Sequence, residues 1–226
     1  MTTTETVPEP EAVEPPTALG SDTAARAHTA IAPIFGFLGL LLYGAVAIKL
    51  IEPAFLGGSE FLSYGRLFPV ATNVLLWAWL TPAMLGAAFY MVPRMARRPL
   101  QGGPLALVSL PLVIGGSVAG AAAVALGGNA GGRLLELPLW ADAAIAAGVF
   151  AAAVSLTLTV RAGDRDRLRL AQWYFLAATW WLFLAVVVGA AVPFLGGLGA
   201  SLIGWFSVTA VVGLWLAAAA IGTAYY

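Results

Sequence analysis

Apolar residues fall in six long blocks along this chain, divided by short stretches rich in charge, glycine or proline. The blocks cover about Ile31–Ile51, Leu67–Val92, Pro104–Leu126, Trp140–Val160, Ala171–Phe194 and Leu198–Ala224. Each approaches or exceeds the ~20 residues an α-helix needs to cross a bilayer. A soluble core cannot hide blocks of this length, so the pattern predicts an all-α membrane domain of six transmembrane helices over residues 31–226. Pro53, Gly57 and Gly58 break the chain after the first block. Pro82 inside the second predicts a kink. The third is very rich in Gly and Ala, which allows the close helix contact that drives association in lipid.

The first 30 residues differ. Glu5, Glu9, Glu11 and Glu14 alternate with Pro8, Pro10, Pro15 and Pro16. Such a segment buries too little apolar surface to offset its chain entropy, which predicts a disordered tail over 1–30. It lacks the basic start and apolar run of a signal peptide.

Composition sharpens this picture. Of 226 residues, 61% are hydrophobic and only 10% charged. Net charge is zero, so no electrostatic argument favours nucleic acid; the lipid bilayer is the first partner. There is no cysteine, which excludes disulfides and thiolate metal sites. The single histidine, His28, excludes a multi-histidine metal site within one copy.

Charge placement sets an orientation. Arg26, Arg94, Arg97, Arg98, Arg161, Arg165, Arg167 and Arg169 fall on one side of a six-span arrangement, and Lys49, Arg66 and Arg133 on the other. The positive-inside rule then puts both termini in the cytoplasm; the expected location is a plasma or inner membrane. Trp173 and Tyr174, with Tyr225 and Tyr226, mark span ends as interfacial belts do.

The second block carries a closer signal. It enters as Gly65-Arg66-Leu67-Phe68-Pro69-Val70-Ala71-Thr72-Asn73 and leaves as Phe89-Tyr90-Met91-Val92-Pro93-Arg94. Further on stand Ala171-Gln172-Trp173-Tyr174-Phe175-Leu176-Ala177 and WFSVTAVVGLWLAAAAIGTAYY over Trp205–Tyr226. These three stretches resemble, in order and spacing, helices two, five and six of subunit I in the haem–copper oxidases. The nearest likeness is to the C-family cytochrome c oxidases and nitric oxide reductases. The resemblance implies the first half of that helical bundle.

It also implies ligands that this chain lacks. In the family, a helix-two histidine is an axial ligand of the low-spin haem; that position is Ala71 here. A helix-six histidine binds copper, or non-haem iron in the reductases; that position is Thr209, or Val208 with a shift of one. A methyl group cannot coordinate iron, and threonine is a poor copper ligand. The family's other haem and metal histidines lie in helices beyond Tyr226. The expected role is therefore a degenerate, non-catalytic or accessory subunit of a respiratory electron-transfer complex. Its partners would be other membrane subunits, a cytochrome among them, supplying any haem; no cofactor is expected on this chain alone. The alternatives are a small membrane transporter or channel and a structural helical module. The lack of charge in mid-span weighs against a transporter.

Single residues have plainer readings beside these. Arg66 lies where the family places an arginine near haem propionates, or it is an interfacial anchor. His28 is expected at the edge of helix one without a ligand role. Met84 and Met91 are expected as packing filler. Asp142 is expected as a cap in the first turn of its helix. Thr72, Asn73, Thr81, Thr179, Ser207 and Thr209 are expected to hydrogen-bond between helices.

Overall fold

A computed structural model describes residues 19–128, 136–163 and 169–226. Six helices in it are long and apolar enough to cross a membrane, and no strand occurs among the described residues. They are α1 (Leu19–Ile51), α2 (Tyr64–Ala96), α3 (Gly103–Ala125), α4 (Leu139–Ala162), α5 (Leu170–Gly189) and α6 (Gly197–Ala224). The six expected spans are all present.

The start of α1 is a correction. The helix begins at Leu19, well before Ile31, so the segment up to residue 30 is not wholly a tail. Ala24, Ala25, His28 and Ala32 recur at helical spacing and are all buried. Their burial against neighbouring helices holds the extra turns. Asp22 sits in the first turn, where an acid suits the helix dipole. The earlier tail residues, and Arg133, Arg165 and Arg167 of the charge count, lie outside the described residues.

Helix α2 packs against all five other helices, so it forms the axis of the bundle. Trp77, Leu85, Phe89 and Val92 on it belong to the main apolar core, with Ile145 and Leu156 of α4 and Phe175 and Leu182 of α5. The most extensive pairing is between α1 and α2, and the pairing of α3 with α4 is also extensive. Gly116 and Gly120 of α3 lie against Ala141, and Gly148 of α4 lies against the Ser109 carbonyl. A Cβ on any of the three would come within 3.0 Å of a neighbouring helix, so small residues set this spacing. Helix α6 packs chiefly on α5 and leaves Leu202, Trp205 and Val212 exposed.

Two helices are not α-helical throughout. Val74–Leu80 in α2 and Ala210–Leu216 in α6 are π-helical. The first ends at Thr81, whose N–H and hydroxyl both reach the Leu76 carbonyl. Pro82 follows. It has no N–H for the Ala78 carbonyl, and its ring crowds that oxygen. A widened turn relieves the crowding, so the expected proline kink is realised as a π segment. α2 then ends on Arg97, which takes the left-handed conformation at φ 51°.

Candidate functional site

The start of α2 gathers polar groups from three parts of the chain. Arg66 donates from Nη1 to the Ala125 carbonyl at the end of α3, at 3.2 Å. Its Nη2 lies 3.6 Å from Glu60, and the guanidinium stands over the Phe61 ring. Glu60 is largely exposed, so that ion pair adds little. The carbonyl bond is the structural one: it ties α2 to the end of α3.

Two turns further in, Asn73 is fully buried. Its amide nitrogen donates to the Pro69 carbonyl and to Glu136 Oε2, each at 2.8 Å. Its amide oxygen accepts from Trp77 Nε1 at 3.1 Å. One side chain thus links α2 to the segment entering α4 and orients the largest buried ring of α2. Asp142 lies in the first turn of α4, and the charge of Glu136 acts on it. Pro138, not Asp142, takes the capping position, and Asp142 Oδ1 is buried with no hydrogen-bond partner. The cap expected of Asp142 is thus not formed. Leaving Oδ1 buried without a hydrogen-bond partner costs free energy.

Ala71 lies between these polar groups and faces the other way. It is fully buried in a small cluster with Leu67 and Val46, lined by Leu42, Tyr43, Ala45 and Leu62. Side chains of α1 fill the space its methyl group faces. Nearby, Gly36 and Gly39 of α1 admit Trp79 and Leu75 of α2 so closely that a Cβ on either glycine would clash with them. Ala71 has no donor atom, and its surroundings do not fit an axial haem ligand.

The other candidates are scattered. Thr209 is exposed on α6 and Val208 is half-buried. Met84 and Met91 are half-buried and pack against the main core, as expected of filler. Among the described residues, no three His, Cys, Asp or Glu side chains form a group able to hold a metal ion.

His28 is a correction. It is 1% exposed and does not sit at a helix edge. Its Nδ1 bonds with the Ala24 carbonyl at 2.8 Å and its Nε2 with Ser109 Oγ at 3.0 Å. The ring meets Phe89 edge-on at 5.0 Å. His28 thus pins α1 to α2 and α3, at the opposite end of the bundle from Arg66. Both ring nitrogens are engaged, which leaves none for a metal.

The span hydroxyls need correcting too. Thr72 does bond across helices, to Tyr43 at 2.7 Å. Thr81, Thr179 and Ser207 instead donate to carbonyls of their own helices. The sequence reading also missed the π segments. They begin three residues after Ala71 in α2 and one after Thr209 in α6, the positions that the resemblance matches to family histidines. Such segments are common at functional sites. Pro82 was the one local signal for the first.

Comparison with known proteins agrees with this architecture. The family model described as cytochrome c and quinol oxidase polypeptide I matches residues 23–226. Cytochrome c oxidase subunit 1 of Rhodobacter capsulatus is 26% identical over 222 residues, covering 91% of this chain and 41% of that protein. A cytochrome c oxidase subunit 1 homolog of Agrobacterium tumefaciens (strain T37) is 27% identical over 206 residues, covering 85% of this chain and 38% of that protein. The chain thus spans about two fifths of the length of these relatives. With six apolar helices around α2 and a match over almost all described residues, this multi-pass membrane protein belongs to the cytochrome c and quinol oxidase polypeptide I family.

Proposed function

We propose that this chain is a non-catalytic or accessory subunit of a respiratory electron-transfer complex in a plasma or inner membrane, with both ends in the cytoplasm. Ala71 carries the reading. It occupies the family's low-spin haem ligand position, and α1 side chains pack against it. A residue with no donor atom in a filled space cannot replace a histidine ligand. The helical scaffold persists while the first ligand position has been given to packing.

Partners follow from that. Other membrane subunits, a cytochrome among them, would supply haem and copper. A propionate contact at Arg66 is the haem-facing role proposed for this chain, and its bond to Ala125 supports the alternative of an anchor. Helix α6 offers an apolar face for such a partner at Leu202, Trp205 and Val212.

The test is a mild-detergent pull-down of the tagged chain from its native membrane, with mass spectrometry of the co-purifying proteins. Stoichiometric recovery of cytochrome or oxidase subunits is the expected result. Recovery of the chain alone would overturn the proposal, and substrate flux into liposomes would then test a transporter role.

A further inference from the structure

A groove of about 480 Å³ opens at the other end of the bundle, between the first turns of α1 and the last turns of α2. Small residues make its floor: Ala25 on α1, Gly86 and Ala87 on α2. The helices touch beneath it, for a Cβ on Gly86 would lie 2.7 Å from Thr29 Cγ2. Arg26 and Arg94 form its rim.

The two arginines differ in freedom. Arg94 lies 3.6 Å above the Tyr90 ring, donates to the Tyr90 carbonyl at 3.0 Å and to Asp22 Oδ1 at 3.1 Å. It is fixed in place and over the groove. Arg26 reaches Asp22 only at 3.9 Å, and its side chain is 83% exposed. Most of its five donors are thus open to another acceptor. Arg97 and Arg98 follow on the same end of α2. Asp22 is the one acid among the described residues of these two helix ends, so the surroundings are cationic.

Below Arg26 the surface turns apolar. Ala30, Pro33, Phe37 and Leu41 continue down the exposed side of α1 at helical spacing. A cationic rim over a small-residue floor, with an apolar track beneath, matches one molecule: a phosphate-bearing head above acyl chains. Basic pockets between membrane helices are suited to anionic headgroups. We propose that this groove binds one anionic phospholipid, its phosphate on Arg26 and Arg94 and an acyl chain along Pro33 and Phe37. The site is independent of any redox role.

The test uses the purified full chain in nonionic detergent and native mass spectrometry. Dioleoylphosphatidylglycerol is titrated against dioleoylphosphatidylcholine. One phosphatidylglycerol per chain is expected, retained at least about fivefold better than phosphatidylcholine, whose choline cancels the phosphate charge that one arginine would otherwise attract. Arg26→Gln, a change at an exposed side chain, should abolish that preference. Ala87→Trp fills the floor without touching charge and should expel the lipid. Arg161→Gln, at an exposed position outside the groove, should change nothing. Equal retention of both lipids would overturn the proposal. So would an equal effect of Arg161→Gln, which means diffuse charge, or unaltered binding in Ala87→Trp. Displacement of the lipid by millimolar inorganic phosphate would overturn it as well, by showing a site for a soluble anion.

Discussion

Gly148 tests whether small residues set the spacing of this bundle. An alanine there would place its Cβ 2.8 Å from the Ser109 carbonyl oxygen, 2.8 Å from Val113 Cγ2 and 3.0 Å from Leu112 Cβ. Carbon atoms rest about 3.5–4.0 Å apart at the optimum. Relief therefore requires α3 and α4 to separate by roughly 0.5–1 Å. The nearest atom is main chain and cannot swing aside. Overpacking of this kind costs about 1–3 kcal/mol. The gain in helix propensity from Gly to Ala offsets at most about 1 kcal/mol. Gly148→Ala should thus destabilise by about 1–2 kcal/mol, a drop of about 2–8 °C in midpoint by the scaling for domains of this size. The assay is thermal unfolding in detergent, followed by the monodisperse peak on size exclusion. Gly115→Ala on α3 is the control. A Cβ there meets nothing within 4 Å, so the same propensity gain comes without the clash. Its midpoint should hold or rise. Equal shifts in the two variants would refute the packing argument.

Four further outcomes follow from the same contacts. His28→Leu removes the bond to Ser109 and the polar edge contact with Phe89, and should cost about 1–2 kcal/mol; paired with Ser109→Ala the loss should be less than additive, since both report one bond. Asn73→Leu leaves Trp77 Nε1 without its acceptor and Glu136 without that donor, and should cost about 1–3 kcal/mol in thermal unfolding, with a change in tryptophan emission. Ala71→His should yield no haem absorption band on addition of haem, because α1 occupies the space, and should destabilise by about 1–3 kcal/mol; a stable haem spectrum would contradict the filled site. Lys49→Met loses the bonds to the Phe55 and Pro53 carbonyls, and limited proteolysis should then cut the loop after α1 faster than in the parent protein.

These contacts also show where a sequence stops being informative in lipid. The bilayer imposes one length on every span, so the six apolar blocks could be read directly, and the motif-bearing α2 proved to be the central helix. The first turns of α1 could not be read this way. Their polar, alanine-rich residues carry no span signal, and they are helical because Ala24, Ala25 and His28 are covered by other helices. Polar residues show the same limit. Asn73 and Thr72 lie next to each other in one motif and both reach outside α2, whereas Thr81, Thr179 and Ser207 bond within their own helices. Nothing local separates the two groups, because a span hydroxyl can always satisfy itself on a carbonyl one turn back. What separates them is a partner 29 residues away for Thr72, 63 for Asn73 and 81 for His28. The empty ligand position is the converse case. That Ala71 lacks a donor is plain from one letter, but only the fold shows that Val46 and Leu42 pack against it. A lost ligand with its cavity kept would leave a latent haem site. A lost ligand with the cavity filled would make the helix pair itself the product, which is the physical ground for the accessory role proposed above.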